Sequence, residues 1–382
     1  MLSGFYRQPE MTLGEKLAEV NWGLIATLSV IAAIGFAMLY SAASGALDPW
    51  ASRQMARFGV GVLVLIAVAL VDLRLWMRYA YVIYLAALVL LAAVEVTGAI
   101  GMGAQRWVTL GFVNLQPSEV MKIALVLVLA RYFHSLPEDA VTRARYLVWP
   151  AALALAPTVL VLRQPDLGTA LMLVMIAAAM FFMAGVRLRV FAFVIGAGLA
   201  AVPVAWPLLR PYQRQRLLTF FDPEADPLGA GYHILQSKIA LGSGGVAGKG
   251  FLNGSQAYLN FLPEKQTDFI FTVLAEEFGL TGGLLLLTLY ALVIAYGFAI
   301  ALRAQSQFGR LLAIGVTAVF FLYVFINIAM VMGLVPVVGV PLPLISYGGT
   351  AMLTLLAGFG LLIGVNVHRG VIVSRSGAGD SA

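Results

Sequence analysis

Four segments of this mostly apolar chain combine polar or charged residues with residues that interrupt helices. The first segment runs from GAQRW at Gly103–Trp107 to QPSEVMK at Gln116–Lys122. On a helix beginning near Pro117, Glu119 and Lys122 are three residues apart and share a face. Charged groups inside an apolar bundle are paired or face water. Glu119 and Lys122 therefore form either a structural ion pair or part of a polar substrate cavity.

The second segment, RQPDLGTA at Arg163–Ala170, places Asp166 between Pro165 and Gly168. An apolar stretch follows, so Asp166 is expected near a helix N-terminus, where a carboxylate caps free N–H groups and suits the helix dipole. The same carboxylate could also line a polar cavity. These two roles are compatible.

The third segment, 209–277, is the one long polar stretch between apolar runs, and it contains a glycine cluster from Gly242 to Gly250. Glycine-rich backbone with nearby cations is typical of phosphate binding. The spacing is not that of a Walker A motif, and no strand precedes it. The segment is therefore either a phosphate-binding loop or a solvated basic loop. Its candidate cations are Arg214, Arg216, Lys238, Lys249 and Lys265.

Asp268 closes this long segment within the sequence TDFIF, directly before the next apolar run. A carboxylate at such a boundary is partly desolvated, which makes it a better proton acceptor. Its alternative role is to cap a helix that starts near Phe269. Spacing alone does not decide between a base and a cap.

The fourth segment is GLVPVVGVPLPLISYGG at Gly333–Gly349, whose three prolines forbid a continuous helix. At membrane depth, irregular backbone is found only where it is buried in protein or lines a cavity. Asn327, in the preceding apolar run, adds a polar group expected to face the bundle. Together the four segments predict a polar cavity with carboxylates at its rim and a basic, glycine-rich roof.

The elements that must position these segments are membrane helices. The chain is 61% hydrophobic and only 11% charged, and its mean hydropathy is +0.93. Apolar runs long enough to cross about 30 Å of hydrocarbon recur along it. We predict an all-α polytopic membrane protein, a single domain over 1–382. About ten spans are expected at 22–42, 56–71, 79–97, 116–134, 147–163, 168–186, 190–208, 278–302, 311–333 and 349–367.

Basic residues set the predicted orientation. Outside the long 209–277 segment, Lys and Arg are more frequent on the side that carries the termini, which predicts that 1–21 and 368–382 are cytoplasmic. The long segment then becomes an extracytoplasmic, periplasmic loop between spans seven and eight. The net charge of +6 reflects topology and anionic lipid rather than nucleic acid. The chain has no cysteine, and its three histidines are far apart in sequence, which argues against thiolate or histidine-rich metal centres.

Taken in order, these motifs resemble the SEDS family of shape, elongation, division and sporulation proteins, and within it the RodA branch more than FtsW. GAQRW, QPSE–K, QPDLGTA, YQRQR, DPLGAGYHILQSKIALGSGG, GKG, FLPE–TDFIF and PVVGVPLPLISYGG carry the resemblance, which covers about 22 to 369. A mild departure is Thr350, where the family often has serine.

The resemblance implies a peptidoglycan glycosyltransferase of the bacterial inner membrane, which polymerises lipid II into glycan strands during elongation and maintains rod shape. It also implies a class B penicillin-binding protein as partner within the elongation machinery. Asp268 matches the family's essential carboxylate, while Glu119, Lys122 and Asp166 match polar residues of the central cavity.

The expected chemistry is simple because the donor's diphosphate is already a good leaving group. One base for the acceptor hydroxyl and cations for the diphosphate would suffice. Asp268 is expected as that base or as a ligand of a divalent cation, Mg²⁺ or Mn²⁺, which no sequence pattern requires. The candidate diphosphate ligands are Lys122, Arg214, Arg216 and Lys249.

Two other functions use the same features. A lipid II flippase would also need a polar cavity and broken helices, but alternating access should place substrate-handling groups on both sides, and the inner loops are short and plain. A non-catalytic scaffold for the penicillin-binding protein would not need carboxylates at the rim.

Overall fold

The protein is a bundle of apolar helices, seen in a computed structural model that describes residues 11–97, 99–101, 104–110, 113–164, 166–208, 214–215, 218–220, 222, 230–255 and 264–371. The helices are α1 Leu13–Ala18, α2 Trp22–Ala42, α3 Ala51–Leu70, α4 Leu73–Thr97, α5 Pro117–Ser135, α6 Val148–Arg163, α7 Leu167–Met183, α8 Leu188–Ala205, α9 Ala230–Ser243, α10 Ile270–Arg303, α11 Gln307–Val331 and α12 Gly349–Val367.

The predicted all-α membrane architecture is confirmed. Within the described residues, seven helical segments are long and apolar enough to cross a membrane, while α7 and α8 are apolar but shorter. Helix α5 has 19 residues and includes Glu119, Lys122 and Arg131 among its apolar side chains. Each of the ten predicted spans coincides with one of these helices, because an uninterrupted apolar run of this length satisfies its backbone only as a helix.

Three features differ from the simplest expectation. A small antiparallel sheet, β1 Ala99–Gly101, β2 Ala104–Leu110 and β3 Val113–Leu115, links α4 to α5. The segment expected to be irregular contains helix α9. Helix α10 begins at Ile270, ahead of the predicted 278, and non-helical backbone at Gly279 divides it. The predicted span therefore corresponds to the part of α10 that follows this kink.

Helices α11 and α12 form the centre of the bundle: 72% and 78% of their apolar windows are buried, against 22% for α3. The two ends of the span region lie together, since Asn366 Nδ2 donates to the Glu19 carbonyl at 2.9 Å. Arg369 and Glu19 form an ion pair at 3.0 Å at the same place. We call this the terminal end of the bundle. The opposite end, where α8 finishes and α10 begins, is the loop end.

Candidate active site

The proline segment, residues 333–348, joins α11 to α12 at the loop end without forming a helix. Its prolines remove backbone donors, so neighbouring elements must hold the carbonyls that a helix would have used. Tyr290 Oη donates to the Pro343 carbonyl at 2.9 Å, from a side chain that is 1% exposed. Gly35 of α2 lies so close that a Cβ there would stand 2.6 Å from the Leu344 carbonyl oxygen. The segment is thus packed inside the protein.

A second irregular element, the Asp268 turn at residues 264–269, is fastened to the proline segment. The backbone N–H of Tyr347 donates to the Gln266 carbonyl at 2.8 Å. Ser346 Oγ donates to the Thr267 carbonyl at 2.6 Å and accepts from the Leu342 N–H at 2.7 Å. These bonds hold the turn and the proline segment side by side.

Asp268 lies half-buried at this junction. Its Oδ2 atom faces Gly339, where a Cβ would stand 3.4 Å away, and Gly339 has a φ of +72° that favours glycine. Helix α10 begins at Ile270 with Phe269 at the N-cap and no side-chain capping bond there. Asp268 is therefore not the N-cap residue of α10, and its carboxylate lies against the proline segment.

Glu119 and Lys122 form a buried ion pair at 2.7 Å, 5% and 2% exposed. Tyr323 of α11 completes the group: Lys122 Nζ donates to its hydroxyl, which donates to Glu119 Oε2. The Lys122 ammonium also lies 4.3 Å from the Tyr323 ring centroid. The predicted pair is thus a three-residue cluster bridging α5 and α11.

Asp166 has the predicted capping role. Its carboxylate accepts hydrogen bonds from Thr169 N at 3.1 Å and Thr169 Oγ1 at 3.0 Å, at the start of α7. It is 7% exposed and close enough to Tyr323 to act on that hydroxyl electrostatically. Gly168 brings α7 against the proline segment, because a Cβ there would stand 2.3 Å from the Val338 carbonyl oxygen. Asp166 therefore caps a helix and also borders the same polar region.

A small cavity separates the Tyr323 cluster from the proline segment. It has room of about 20 Å³ for water-sized molecules and is lined by Tyr323, by α12 and by the proline segment. A second one, of about 10 Å³, lies beside Glu119 and Lys122. Each cavity has room for about one or two waters in this conformation.

The candidate cations of the long segment lie in different places. Arg214 donates to the Pro207 carbonyl at 2.5 Å. Lys249 forms an ion pair with Glu276 at 2.6 Å and donates to Ser255 Oγ at 2.8 Å. Arg216 lies outside the described residues. Arg214 and Lys249 are therefore already engaged with groups of the protein itself.

The glycine cluster packs against α10. A Cβ at Gly244 would stand 2.0 Å from the Ala275 carbonyl oxygen, and one at Gly248 would stand 2.1 Å from that of Glu277. Lys249 N donates to the Glu276 carbonyl at 3.0 Å. Close approach to a helix accounts for these glycines without a phosphate.

Lys265 is buried in the Asp268 turn, and desolvation lowers its pKa below the ordinary value.

Two polar residues of α3 at this site were not among the predicted site residues. Gln54 is fully buried, and its Nε2 donates to the Ser346 carbonyl at 2.9 Å. Arg57, one turn later and half-buried, places its guanidinium 4.9 Å from the ring centroid of Tyr347. In the sequence, the only indication of their role was weak, since they are two polar residues near the start of an apolar run. Their contacts with the proline segment appear only in the fold.

The Thr350 hydroxyl, where the family often has serine, donates to the Asn114 carbonyl of β3 at 2.7 Å. This bond ties the start of α12 to the small sheet. Because serine carries the same hydroxyl, the departure keeps the contact.

The helices, the buried charges and the broken backbone define a multi-pass membrane protein with a polar site at the loop end of its bundle. The chain belongs to the FtsW/RodA/SpoVE family of cell cycle proteins, whose family pattern matches residues 21–370.

Similar proteins agree with this membership. The peptidoglycan glycosyltransferase MrdB of Escherichia coli K12 is 46% identical over 336 residues, which cover 87% of this chain and 90% of MrdB. The peptidoglycan glycosyltransferase RodA of Treponema pallidum is 30% identical, over 92% of this chain and 99% of that protein.

Two solved structures share the fold. The first, from work on coordination of polymerisation and crosslinking by a peptidoglycan synthase complex, has a TM-score of 0.80 at 34% identity and covers 92% of this chain and 98% of its own. The second, the rod shape determining protein RodA of Thermus thermophilus, has a TM-score of 0.68 at 32% identity and covers 92% and 97%.

Proposed function

We propose that the chain, a peptidoglycan glycosyltransferase of this family, polymerises lipid II into glycan strands with Asp268 as the catalytic carboxylate. The observation that carries this assignment is the position of Asp268. Its carboxylate lies half-buried against Gly339, between two irregular backbone segments that hydrogen bonds hold together. Such backbone lines cavities in membrane proteins, and a base must be held rigidly where its substrate docks.

The reaction forms one C–O bond at the anomeric carbon, breaks another there, and moves one proton. A hydroxyl of the acceptor sugar attacks the anomeric carbon of the donor, while the bond from that carbon to the diphosphate breaks. Undecaprenyl diphosphate leaves with the bonding electrons, and the hydroxyl proton passes to Asp268. Because the diphosphate needs no proton to leave, a second carboxylic acid is not required. Glycoside hydrolysis differs, since two carboxylates are usual there.

The leaving diphosphate needs positive charge nearby. Lys122 borders the small cavity beside Tyr323, and Arg57 lies over Tyr347 next to the start of α12. Lys249 and Arg214 have other partners, Glu276 and Pro207. Lys122 is itself paired with Glu119. The proposal therefore assigns the diphosphate first to Arg57, and Lys122 is the second cation, at the wall of the cavity.

A divalent cation would find only part of its ligands in this part of the chain. Among the described residues, no three His, Cys, Asp or Glu side chains come together as a metal-binding group. Asp268 would supply one carboxylate, and Mg²⁺ or Mn²⁺ would take the remaining oxygens from the substrate's phosphates and water, as Mg²⁺ usually does. Such an ion would add charge stabilisation at the diphosphate.

The proposal also includes the location and orientation of the protein in the membrane. The loop end faces outward from the bacterial inner membrane and both termini are cytoplasmic, as the distribution of basic residues supports. The partner is a class B penicillin-binding protein of the elongation machinery. The peptidoglycan synthase complex to which this fold is similar supports a crosslinking partner.

The test is glycan polymerisation from lipid II by the purified protein with its penicillin-binding partner, whose transpeptidase is blocked. Wild type and Asp268→Ala are compared after folding and complex formation have been checked. Loss of polymer with an intact complex supports the proposal. Undiminished polymer removes Asp268 from the mechanism, and a wild-type complex without polymer refutes polymerisation itself.

A further inference from the structure

Asn327 is a fully buried amide near the loop end of α11, beside the Asp268 turn. Its Nδ2 atom donates to two backbone carbonyls, that of Asp268 at 2.9 Å and that of Val340 at 2.7 Å. The amide orientation is fixed by chemistry, because carbonyl oxygens only accept and therefore must face the NH₂ group. Both hydrogens of one nitrogen are thus used on two different chain segments.

The two carbonyls belong to the two chain segments that meet at Asp268. One belongs to Asp268 itself, and the other belongs to Val340, the neighbour of Gly339, which Asp268 Oδ2 faces. Asn327 therefore holds the main chain that carries the carboxylate and the main chain against which the carboxylate lies. Any change in the spacing of these two segments moves the carboxylate relative to its surroundings.

Few side chains could make this contact. Among neutral side chains, only those of asparagine and glutamine carry two N–H donors on one nitrogen, and glutamine is longer by one methylene. A buried amide in an apolar bundle is unfavourable unless its polar atoms are bonded. Oδ1 of Asn327 is itself buried, with no hydrogen-bond partner among the described residues. Bundle packing alone would favour an apolar side chain here.

From this geometry we infer that Asn327 is a positioning residue for the catalytic carboxylate, a conclusion that rests on the proposed role of Asp268. It does not touch substrate. It sets the distance between the Asp268 turn and the proline segment, and hence the position of the base relative to the acceptor hydroxyl. Removing its two donors should slow the chemical step and leave substrate binding in place.

The chain offers a matched control. Asn366, near the terminal end of α12, is 7% exposed, and its Nδ2 donates to the Glu19 carbonyl at 2.9 Å. Asn327→Leu and Asn366→Leu thus make the same substitution at two buried amides that donate to backbone carbonyls. They differ in their distance from Asp268, because they lie at opposite ends of the bundle.

The experiment measures glycan formation over a range of lipid II concentrations, with each variant in complex with the transpeptidase-blocked partner. Asn327→Leu should lower kcat about 100-fold, the scale of a misplaced reacting group, with KM unchanged. Asn366→Leu should keep the wild-type kcat once rates are corrected for the folded fraction. Asn327→Asp, which keeps the shape and removes both N–H donors, should reproduce the loss of Asn327→Leu. Asn327→Gln should recover part of it.

Wild-type kcat in both Asn327→Leu and Asn327→Asp would overturn the inference, as would an equal loss in Asn366→Leu. A rise in KM with unchanged kcat would also overturn it, because it would move Asn327 to substrate binding. The proposed function has a separate test. If Asp268→Ala polymerised lipid II like wild type, the catalytic role of Asp268 would be refuted. An inactive Asp268→Ala beside an active Asn327→Leu would refute the role of Asn327 alone.

Discussion

Replacing Lys122 by methionine is the most informative single perturbation of the Tyr323 cluster. Lys122 is 2% exposed and Glu119 is 5% exposed, so the substitution leaves a carboxylate buried without its cation. Removing one partner of a buried ion pair destabilises a protein by about 3–5 kcal/mol. Glu119→Gln should have a similar effect, because it leaves the Lys122 ammonium uncompensated.

The double variant separates this effect from lost packing. Lys122→Met combined with Glu119→Gln removes both charges and nearly keeps both volumes, and replacing a buried pair by uncharged groups of similar size is often close to neutral. We therefore expect the double variant to be more stable than either single variant. The free energy of unfolding can be followed by helical circular dichroism as SDS is titrated into mixed micelles, with linear extrapolation of each curve.

Two outcomes would refute this reasoning. Single variants within about 0.5 kcal/mol of wild type would mean that water reaches the pair, since surface ion pairs contribute that little. A double variant as unstable as the sum of the singles would mean that the charges are not coupled.

Polymerisation by the double variant then decides between the two roles that the sequence left open. Activity restored with stability indicates a structural pair, whereas stability without activity indicates contact with substrate.

Substitutions at Gly168, Thr350 and His368 test other parts of the molecule. Gly168→Ala would place a Cβ 2.3 Å from the Val338 carbonyl oxygen and should destabilise by about 1–3 kcal/mol, whereas Gly196→Ala, with nothing within 4 Å, should not. The same SDS titration measures both. Thr350→Val should lose about 1 kcal/mol with the bond to Asn114, and Thr350→Ser should retain it. Burial lowers the pKa of His368 below its usual value of 6.5. As the pH falls, the histidine is therefore protonated in the unfolded chain before it is protonated in the folded protein. Thermal stability should fall as the pH drops from about 7 to 5. His368→Phe should lose that part of the pH dependence, and an unchanged dependence would contradict it.

The ten membrane spans of this fold could be predicted because each rests on local information. An apolar run of about 20 residues between charged or proline-rich breaks has one way to satisfy its backbone in hydrocarbon. The spacing of Glu119 and Lys122 was local as well: it predicted that the two side chains share a helix face, and the ion pair is one of the two alternatives that it offered. Asp166 caps α7 because a carboxylate before an apolar helix has a strong local preference for that position.

What the sequence could not predict depends on contacts between distant segments. Tyr323 completes the Glu119–Lys122 pair from another helix, and nothing near it in sequence marks it out. The glycine cluster was ambiguous, because glycine permits close approach to a phosphate and to a helix equally. In the fold these glycines meet the backbone of α10. The sheet between α4 and α5 was missed because its strands are only three to seven residues long.

The small size of the cavity beside Tyr323 has a consequence for inhibitor discovery. With room of about 20 Å³, it offers a drug-sized compound no preformed pocket. A competitive compound would first have to separate the proline segment from its neighbours. Its apparent affinity would then be reduced in proportion to the fraction of molecules in that open form. Screening against protein held open by a bound substrate analogue or by its partner should therefore find ligands that a screen of the isolated chain misses.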